Sequence, residues 1–219
     1  KLVTEAASQE EAYNFTSDYT TARQLVDALI ALGRQVSQEG SVLLKNDGAL
    51  PLSGSETKVT LFGVGAYNPL LGGMIGSSAS DNTAAGVPNV TLIDALSNAN
   101  IEVNPTVRTA YEGSGITPGM LSPSFVPETC KKVVVLVNSS SAMELETVKQ
   151  DAGVDAILWI GFPGNYGFDG VVDILTGAVS PSGHLSDTYP VDSTSAPAMV
   201  NYGKFDWANG DEITRDGIN

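Results

Sequence analysis

Cysteine and histidine are almost missing from this 219-residue chain, which contains one of each, Cys130 and His184. A single cysteine excludes a disulfide within the chain and leaves the cellular compartment open. A single histidine gives little material for a histidine-ligated metal site or a Ser-His-Asp triad. We expect His184 to be a surface or packing residue, because no neighbour in the sequence would orient it as a base.

Positive charge is also scarce, since 11 Lys and Arg residues stand against 25 Asp and Glu residues, a net charge of −14. Such a surface repels phosphates, so neither nucleic acid nor an anionic membrane is expected as a partner. No apolar run approaches the roughly 18 residues of a membrane span, and no signal peptide is expected at the polar start of the chain. A neutral ligand such as a sugar is compatible with this charge, although the charge does not select one.

Apolar residues make up 42% of the chain and allow a sizeable core. Between Ala22 and Val36 they recur at helical spacing, which predicts an amphipathic helix that stops at Gly40. The apolar segment 41–46 that follows ends in the turn residues 46–48. Thr91 can cap a second helix, and the apolar pattern of residues 171–175 predicts a third that stops near Gly177.

Three short apolar runs have the composition of buried strands: Val59–Phe62, Val133–Val137 and Ala156–Ile160. Strands that alternate with helices are typical of βα units. We therefore predict an α/β fold, a three-layer α/β/α sandwich with a mainly parallel sheet. The interval between Val103 and Val133 does not fit, because its roughly 29 residues contain no convincing strand and exceed the usual loop length of ~12–15 residues.

Ligands of open α/β sheets bind beyond the carboxyl ends of the strands, and three segments follow predicted strands there. The glycine-rich segment 63–78 offers close backbone approach and hydroxyl groups, so we predict substrate binding by Gly72, Gly73, Ser77 and Ser78. We also expect the loop 72–78 to face the ligand side and to be mobile. A nucleotide site is the less favoured alternative, because Asn68 replaces the third glycine of the dinucleotide fingerprint.

The other two segments have simpler explanations. The polar residues 138–141 are of the kind that caps a following helix, and residues 161–167 contain the Pro-Gly turn of a common strand-to-helix connection. No pair of carboxylates stands out as an acid and a nucleophile. We expect the carboxylates of the later elements to lie on solvated helix faces or at strand starts; they are Glu144, Glu146, Asp155, Asp169 and Asp173.

Several motifs, in the right order, resemble the sandwich domain of glycoside hydrolase family 3, the β-glucosidase family. The segment Gln38–Asn46 with Leu50-Pro51-Leu52 resembles the opening of that domain, and residues 154–164 resemble its late strand and Pro-Gly turn. Residues 173–190 resemble the closing motif of that domain. The family more often has Arg at the position of His184. The resemblance covers roughly residues 22–202.

The resemblance implies a sandwich domain at residues 21–203, between a polar lead-in (1–20) and a linker or tail (204–219). It implies retaining hydrolysis of β-linked glucosides or oligosaccharides without a cofactor. The nucleophile comes from a separate (β/α)8 barrel domain, and the general acid, usually Glu, from the sandwich. Here the strand-helix unit that carries this acid has no room before Val133, so neither Glu112 nor Glu128 is assigned to the role. The alternative is a non-catalytic carbohydrate-binding or interaction module.

Overall fold

A computed structural model describes residues 18–67, 69, 89–113 and 130–192 of the chain. The described elements, which include a short 3-10 helix at Val64–Ala66, alternate between helix and strand for most of the chain. The helices are α1 (Ala22–Gly40), α2 (Leu92–Asn98), α3 (Pro105–Gly113), α4 (Glu146–Gln150) and α5 (Phe168–Thr176), and the strands are β1 (Val42–Asn46), β2 (Lys58–Val59), β3 (Glu102–Val103), β4 (Val134–Val137) and β5 (Ala156–Trp159).

The described strands form two separate sheets. In the larger sheet, of order β1-β5-β4, strand β4 runs parallel to β5, with Val134 opposite Ala156 and Val137 opposite Trp159. Strand β1 runs antiparallel to β5 on its other side. The smaller sheet is the parallel pair β2-β3. Only β1 runs against the parallel direction, as is common at the edge of an α/β sheet.

Side chains of β5 alternate between the two faces of the larger sheet. Ala156 and Leu158 belong to the main core, together with buried residues of α2 and α5. Ile157 points to the opposite face, where it lines a cavity of about 190 Å³ beneath α4 and the segment that contains Leu185 and Tyr189. Both faces of the sheet are therefore covered, which makes the fold an α/β sandwich.

Helix α1 packs very closely on the start of α5. A Cβ at Gly170 would clash with the backbone oxygen of Arg34, and one at Gly167 would clash with Ser37 of α1. The buried Asp173 accepts two hydrogen bonds from the Arg34 guanidinium and one from Gln38, all at 2.6 Å. Glycine thus brings the two helices together, and one carboxylate joins them by hydrogen bonds.

Most sequence predictions of the fold are confirmed. The helix from Ala22 ends at Gly40, Thr91 forms a capping box at α2, and Gly177 closes α5 with a left-handed φ of 78°. The parallel pair β4-β5 and the alternation of helices and strands are also as predicted. None of the described helices is long and apolar enough to cross a membrane.

Three predictions of local structure are wrong. The strand expected at Val59–Phe62 is paired only at Lys58–Val59 and belongs to the smaller sheet, because its partner β3 is two residues long. The stretch after Val103, interpreted as irregular, contains helix α3. Asp173, expected on a solvated helix face, is only 8% exposed, because Arg34 and Gln38 compensate its charge.

Candidate functional site

The candidate site is the edge at which the parallel strands β2, β4 and β5 end. The loops that follow them contain Gly63, Asn138 and Gly161. Helix α5 begins seven residues after Gly161, and the loop between them is tied to the start of α2 by a bond from Val90 N to Asn165 O of 2.7 Å. Described loops from both sheets thus contribute to the carboxyl edge, the usual ligand position in such folds.

The loop after β5 is fixed by its neighbour. Asn138 donates its amide Nδ2 to Gly161 O at 2.6 Å, which joins the loops after β4 and β5. Gly161 has a φ of 54°, and a Cβ there would lie 2.8 Å from the Trp159 ring. The next residue, Phe162, is 41% exposed. The result is an exposed aromatic side chain on a restrained backbone, beside the amide of Asn138.

The serines after β4 do not cap the following helix, contrary to the expectation from sequence. Helix α4 begins only at Glu146, and its N-cap residue Leu145 makes no side-chain hydrogen bond. Instead, Ser139 forms a local turn in which its hydroxyl bonds Ser141 N and Ser141 O, both at 3.1 Å. The hydroxyl of the exposed Ser140 remains next to this turn. Polar groups of this loop therefore stay at the edge of the sheet.

The loop after β2 is held by two tyrosines. Gly63 N donates to the Tyr111 hydroxyl at 2.7 Å, and the Tyr67 hydroxyl donates to Leu61 O at 3.0 Å. The two rings stack with their centroids 4.8 Å apart. Helix α3, which carries Tyr111, therefore anchors the start of the glycine-rich segment. The predicted binding residues Gly72, Gly73, Ser77 and Ser78, and the expected mobility of their loop, lie outside the described residues.

Trp159 keeps a buried donor at this edge. Its indole Nε1 is buried without a hydrogen bond to any described residue, although it lies beside the Tyr189 hydroxyl. Burial raises the pKa of Tyr189, and the neighbouring indole N–H opposes that effect. Buried donors are nearly always paired, and the Tyr189 hydroxyl is the acceptor that the described residues place beside this N–H.

Removal of the Asn138 amide should loosen this edge. We expect Asn138→Ala to lower the free energy of unfolding by about 1 kcal/mol, because the partly buried Gly161 carbonyl loses its donor. Ser140→Ala, at an exposed position of the same loop, should change it by less than about 0.5 kcal/mol. Urea denaturation of both variants measures the difference. Equal free energies of unfolding for the two variants would show that the Asn138–Gly161 hydrogen bond does not stabilise this edge.

A cleft of about 700 Å³ separates the two sheets. Its walls include Val59 and Leu61 from the smaller sheet and Val134 and Leu136 from the larger one. At the amino end of the strands, Lys132 reaches across to Glu56, with 2.6 Å between Nζ and Oε1. Strands β2 and β4 therefore face each other across an apolar gap that is bridged by one salt bridge.

This salt bridge gives the cleft a pH-dependent contact. Hydrogen bonds from Lys132 and Ser53 lower the pKa of Glu56 from 4.5 to about 2. Because the folded-state pKa is depressed, the stabilisation is present above pH 4.5 and is lost as the pH falls from 4.5 towards 2. We expect Lys132→Met to raise the pKa of Glu56 towards 4.5, as followed by NMR titration of its carboxyl group.

Lys131 provides a matched control, because it lines the same cleft but forms no ion pair with a described residue. The pKa of Glu56 in Lys131→Met should stay near 2. An unchanged Glu56 pKa in Lys132→Met would show that the ion pair does not form in solution.

The remaining titratable candidates do not assemble into a catalytic group within the described ranges. His184 is exposed, as expected. Asp155 accepts a hydrogen bond from Val133 N at 2.7 Å and positions the start of β4. No group of three or more His, Cys, Asp and Glu side chains able to hold a metal ion occurs among the described residues.

Comparison with known proteins agrees with this architecture. Residues 124–215 match the model of the Glycosyl hydrolase family 3 C-terminal domain. Over these residues the chain is similar to glycoside hydrolase family 3. It is 29% identical over 203 residues to the probable exo-1,4-beta-xylosidase of Aspergillus terreus, which covers 77% of this chain and 26% of that protein. Over 78 residues it is 37% identical to the beta-glucosidase cel3A of Pyricularia oryzae, with 36% of this chain and 10% of that protein covered.

Solved structures of beta-glucosidases show the same fold. Beta-glucosidase 3B from Thermotoga neapolitana superimposes with a TM-score of 0.63 at 21% identity, covering 86% of this chain and 34% of that one. A family 3 beta-glucosidase from Bifidobacterium adolescentis gives 0.60 at 21% identity, covering 91% and 33%. The chain spans about a quarter of the length of the curated relatives it matches.

Proposed function

We propose that the chain is the sandwich domain of a retaining β-glycosidase and covers a sugar site formed on a (β/α)8 barrel. The observation that carries this proposal is the carboxyl edge, where neutral polar loops and the exposed Phe162 meet in a domain of family 3. The substrate class is a β-linked glucoside or oligosaccharide. The domain bounds, residues 21–203, and the binding role of Gly72, Gly73, Ser77 and Ser78 stay predictions within this proposal.

A neutral edge suits a neutral ligand. Amide and hydroxyl groups donate to and accept from sugar hydroxyls, and the flat ring of Phe162 can lie against the apolar face of a pyranose. The exposed Ser140 adds a hydroxyl group near the end of β4. The edge can therefore bind and orient a sugar ring, and these groups do not include a carboxylate.

The chemical step needs more than this edge offers. Retaining hydrolysis requires a carboxylate nucleophile and a carboxylic acid about 5–5.5 Å apart on either side of the scissile bond. The resemblance assigns the nucleophile to the barrel domain. It assigns the acid to a strand-helix unit for which the interval before Val133 has no room. Among the described residues, β2 and β4 belong to separate sheets with a cleft between them.

A leaving-group experiment tests the proposal. The chain should be joined to a family 3 barrel domain and assayed with 2,4-dinitrophenyl β-glucoside and with methyl β-glucoside. The dinitrophenolate leaves without a proton, whereas the methoxide needs a general acid, which is typically worth 10²–10⁴-fold. We therefore expect turnover of the activated substrate only, and at a higher rate than that of the barrel domain alone.

Two substitutions of exposed apolar residues, one at the carboxyl edge and one as its control, test the role of the edge in this assay. Phe162→Ala in the joined protein should raise KM for the activated substrate, whereas Met143→Ala, at a similarly exposed apolar residue, should not. A joined protein that is no faster than the barrel alone would contradict the covering role. Equal rates with both glucosides would show that an acid is present.

A further inference from the structure

Residues 183–190, here called the strap, lie over the face of the larger sheet to which Ile157 points and contain no helix or strand. At the start of the strap, Gly183 N donates to Ser41 O at 3.1 Å, and a Cβ at Gly183 would lie only 2.7 Å from the same oxygen. Near its end, Tyr189 lines the small cavity beneath α4 together with Ile157. The strap is therefore fixed to the fold at both ends.

The Tyr189 hydroxyl lies between polar groups of two different elements. On one side it is beside the Trp159 indole Nε1, which is buried and has no hydrogen bond with a described residue. On the other side it donates to Ser141 O, in the loop after β4, over a long distance of 3.4 Å. A tyrosine hydroxyl can accept one hydrogen bond and donate another at the same time. Tyr189 is thus placed to pair with Trp159 and with Ser141 together.

The hydroxyl of Tyr189 has a role that packing does not explain. Leu44, Leu145 and Ile157 line the same cavity, and a phenylalanine ring would cover these apolar side chains equally well. The indole donor of Trp159 is different, because a buried N–H without an acceptor is costly and rare in folded proteins. The polar groups beside the hydroxyl therefore account for a tyrosine at this position.

Both groups beside this hydroxyl belong to residues that shape the candidate site. Trp159 is the last residue of β5, and its ring occupies the space that a Cβ at Gly161 would need, directly before the exposed Phe162. Ser141 closes the turn in which the Ser139 hydroxyl bonds its N and its O, both at 3.1 Å. The backbone that carries Phe162 and the serine turn after β4 are therefore linked through one hydroxyl group.

We propose that Tyr189 is a positioning residue of the candidate site, whose hydroxyl accepts the Trp159 N–H, donates to Ser141 O and so fixes the loop after β4 relative to Phe162. This inference rests on the proposed function, in which the carboxyl edge binds a sugar. Tyr189 acts through its neighbours and is not assigned a contact with the sugar. A ring that lies on Phe162 and also reaches the serine hydroxyls needs both loops held in place, and a displacement of about 1 Å is enough to impair such a site.

NMR of the isolated 219-residue chain tests the two hydrogen bonds. Tyr189→Phe keeps the ring in the cavity and removes only the hydroxyl. The indole N–H signal of Trp159, distinguished from that of Trp207 by a Trp207→Phe variant, should move upfield because it loses its acceptor. The carbonyl carbon signal of Ser141 should also move upfield because it loses its donor. Thr188→Val removes an exposed hydroxyl from the neighbouring position of the strap and should leave both signals in place.

Kinetics of the chain joined to a family 3 barrel domain tests the positioning role. Tyr189→Phe should raise KM for 2,4-dinitrophenyl β-glucoside about threefold to tenfold, the factor that one hydrogen bond typically contributes. The value of kcat should not change, because the weakened contacts bind the substrate and the transition state alike. Thr188→Val should have the KM of the unmodified protein.

Each result bears on the positioning role of Tyr189. Unmoved Trp159 and Ser141 signals in Tyr189→Phe would overturn it whatever the kinetics. Moved signals with an unchanged KM would also overturn it, while Phe162→Ala in the same assay would still report on the covering role of the domain. A joined protein no faster than the barrel alone would remove the proposed function, and the positioning role with it. The NMR measurement needs no barrel, so the two failures are distinguishable.

Discussion

Valine in place of Gly170 should lower the free energy of unfolding by about 3 kcal/mol or more, the upper part of the range for overpacked cores. A Cβ at this position would clash with the backbone oxygen of Arg34, and the Ser37 Cβ lies 3.1 Å away. A backbone atom cannot rotate aside as a side chain can. Helix α1 would therefore have to separate from α5, and the packing between them would be lost over several residues.

The Gly170 prediction has a control on the neighbouring helix. At Gly40, the last residue of α1, no described heavy atom lies within 4 Å of the position of a Cβ. Gly40→Ala should therefore be neutral or stabilising, because alanine restricts the unfolded chain and favours helix. Thermal unfolding of both variants gives the comparison. A Gly170→Val protein as stable as Gly40→Ala would show that the two helices are not in close contact in solution.

Loss of the Asp173 carboxylate should cost about 2–4 kcal/mol of unfolding free energy, since hydrogen bonds to charged groups contribute about 1.5–3 kcal/mol. Asp173 is 8% exposed and joins α5 to both Arg34 and Gln38. Its hydrogen bond also raises the pKa of the Arg34 guanidinium above its ordinary value. The estimate lies below that for a fully buried pair, because the Arg34 side chain is 50% exposed.

A second Arg-Asp pair, which lies within α1, serves as the comparison. Arg23 and Asp27 are 2.9 Å apart, with side chains 82% and 52% exposed. Removal of such a surface pair typically costs less than about 1 kcal/mol, so Asp27→Ala should be close to neutral. Guanidinium chloride denaturation of Asp173→Ala and Asp27→Ala measures both. Equal losses would contradict the structural role of Asp173.

Local signals were enough to predict most of the elements. The Thr91 cap, the left-handed Gly177 and the β-branched run of β4 each depend on residues close in sequence, and each is found where predicted. The fold class followed from their alternation. The family followed from the order of short motifs around β1, β5 and α5.

Predictions that depend on distant residues were less successful. The run Val59–Phe62 has the composition of a full strand, but a strand also needs a neighbouring strand to which its backbone can hydrogen-bond. Strand β2 pairs with β3 at two positions only, and its other side borders the cleft. The burial of Asp173 depends on Arg34 and Gln38, 139 and 135 residues away. The apolar spacing of α1 does not reveal which row is inside, because both Val26 and Leu25 fit a helical face.

The candidate site was predicted only in part. The loops after β4 and β5 were identified from their position after strands. The hydrogen bonds from Asn138 to Gly161 and from Gly63 to Tyr111 join residues 23 and 48 positions apart, which no local pattern encodes. The serines after β4 were misinterpreted because a cap signal needs an adjacent helix, and α4 begins only at Glu146.

The most direct test of the central claim is the hydrolysis of an aryl β-glucoside by the isolated 219-residue chain. We predict no turnover above background, because the proposed function places the nucleophile on another domain and finds no room before Val133 for the unit that carries the acid. Glu112→Gln and Glu128→Gln proteins, assayed in parallel, should be indistinguishable from the unmodified chain. Robust turnover that either substitution abolishes would contradict the account and identify a general acid within this chain.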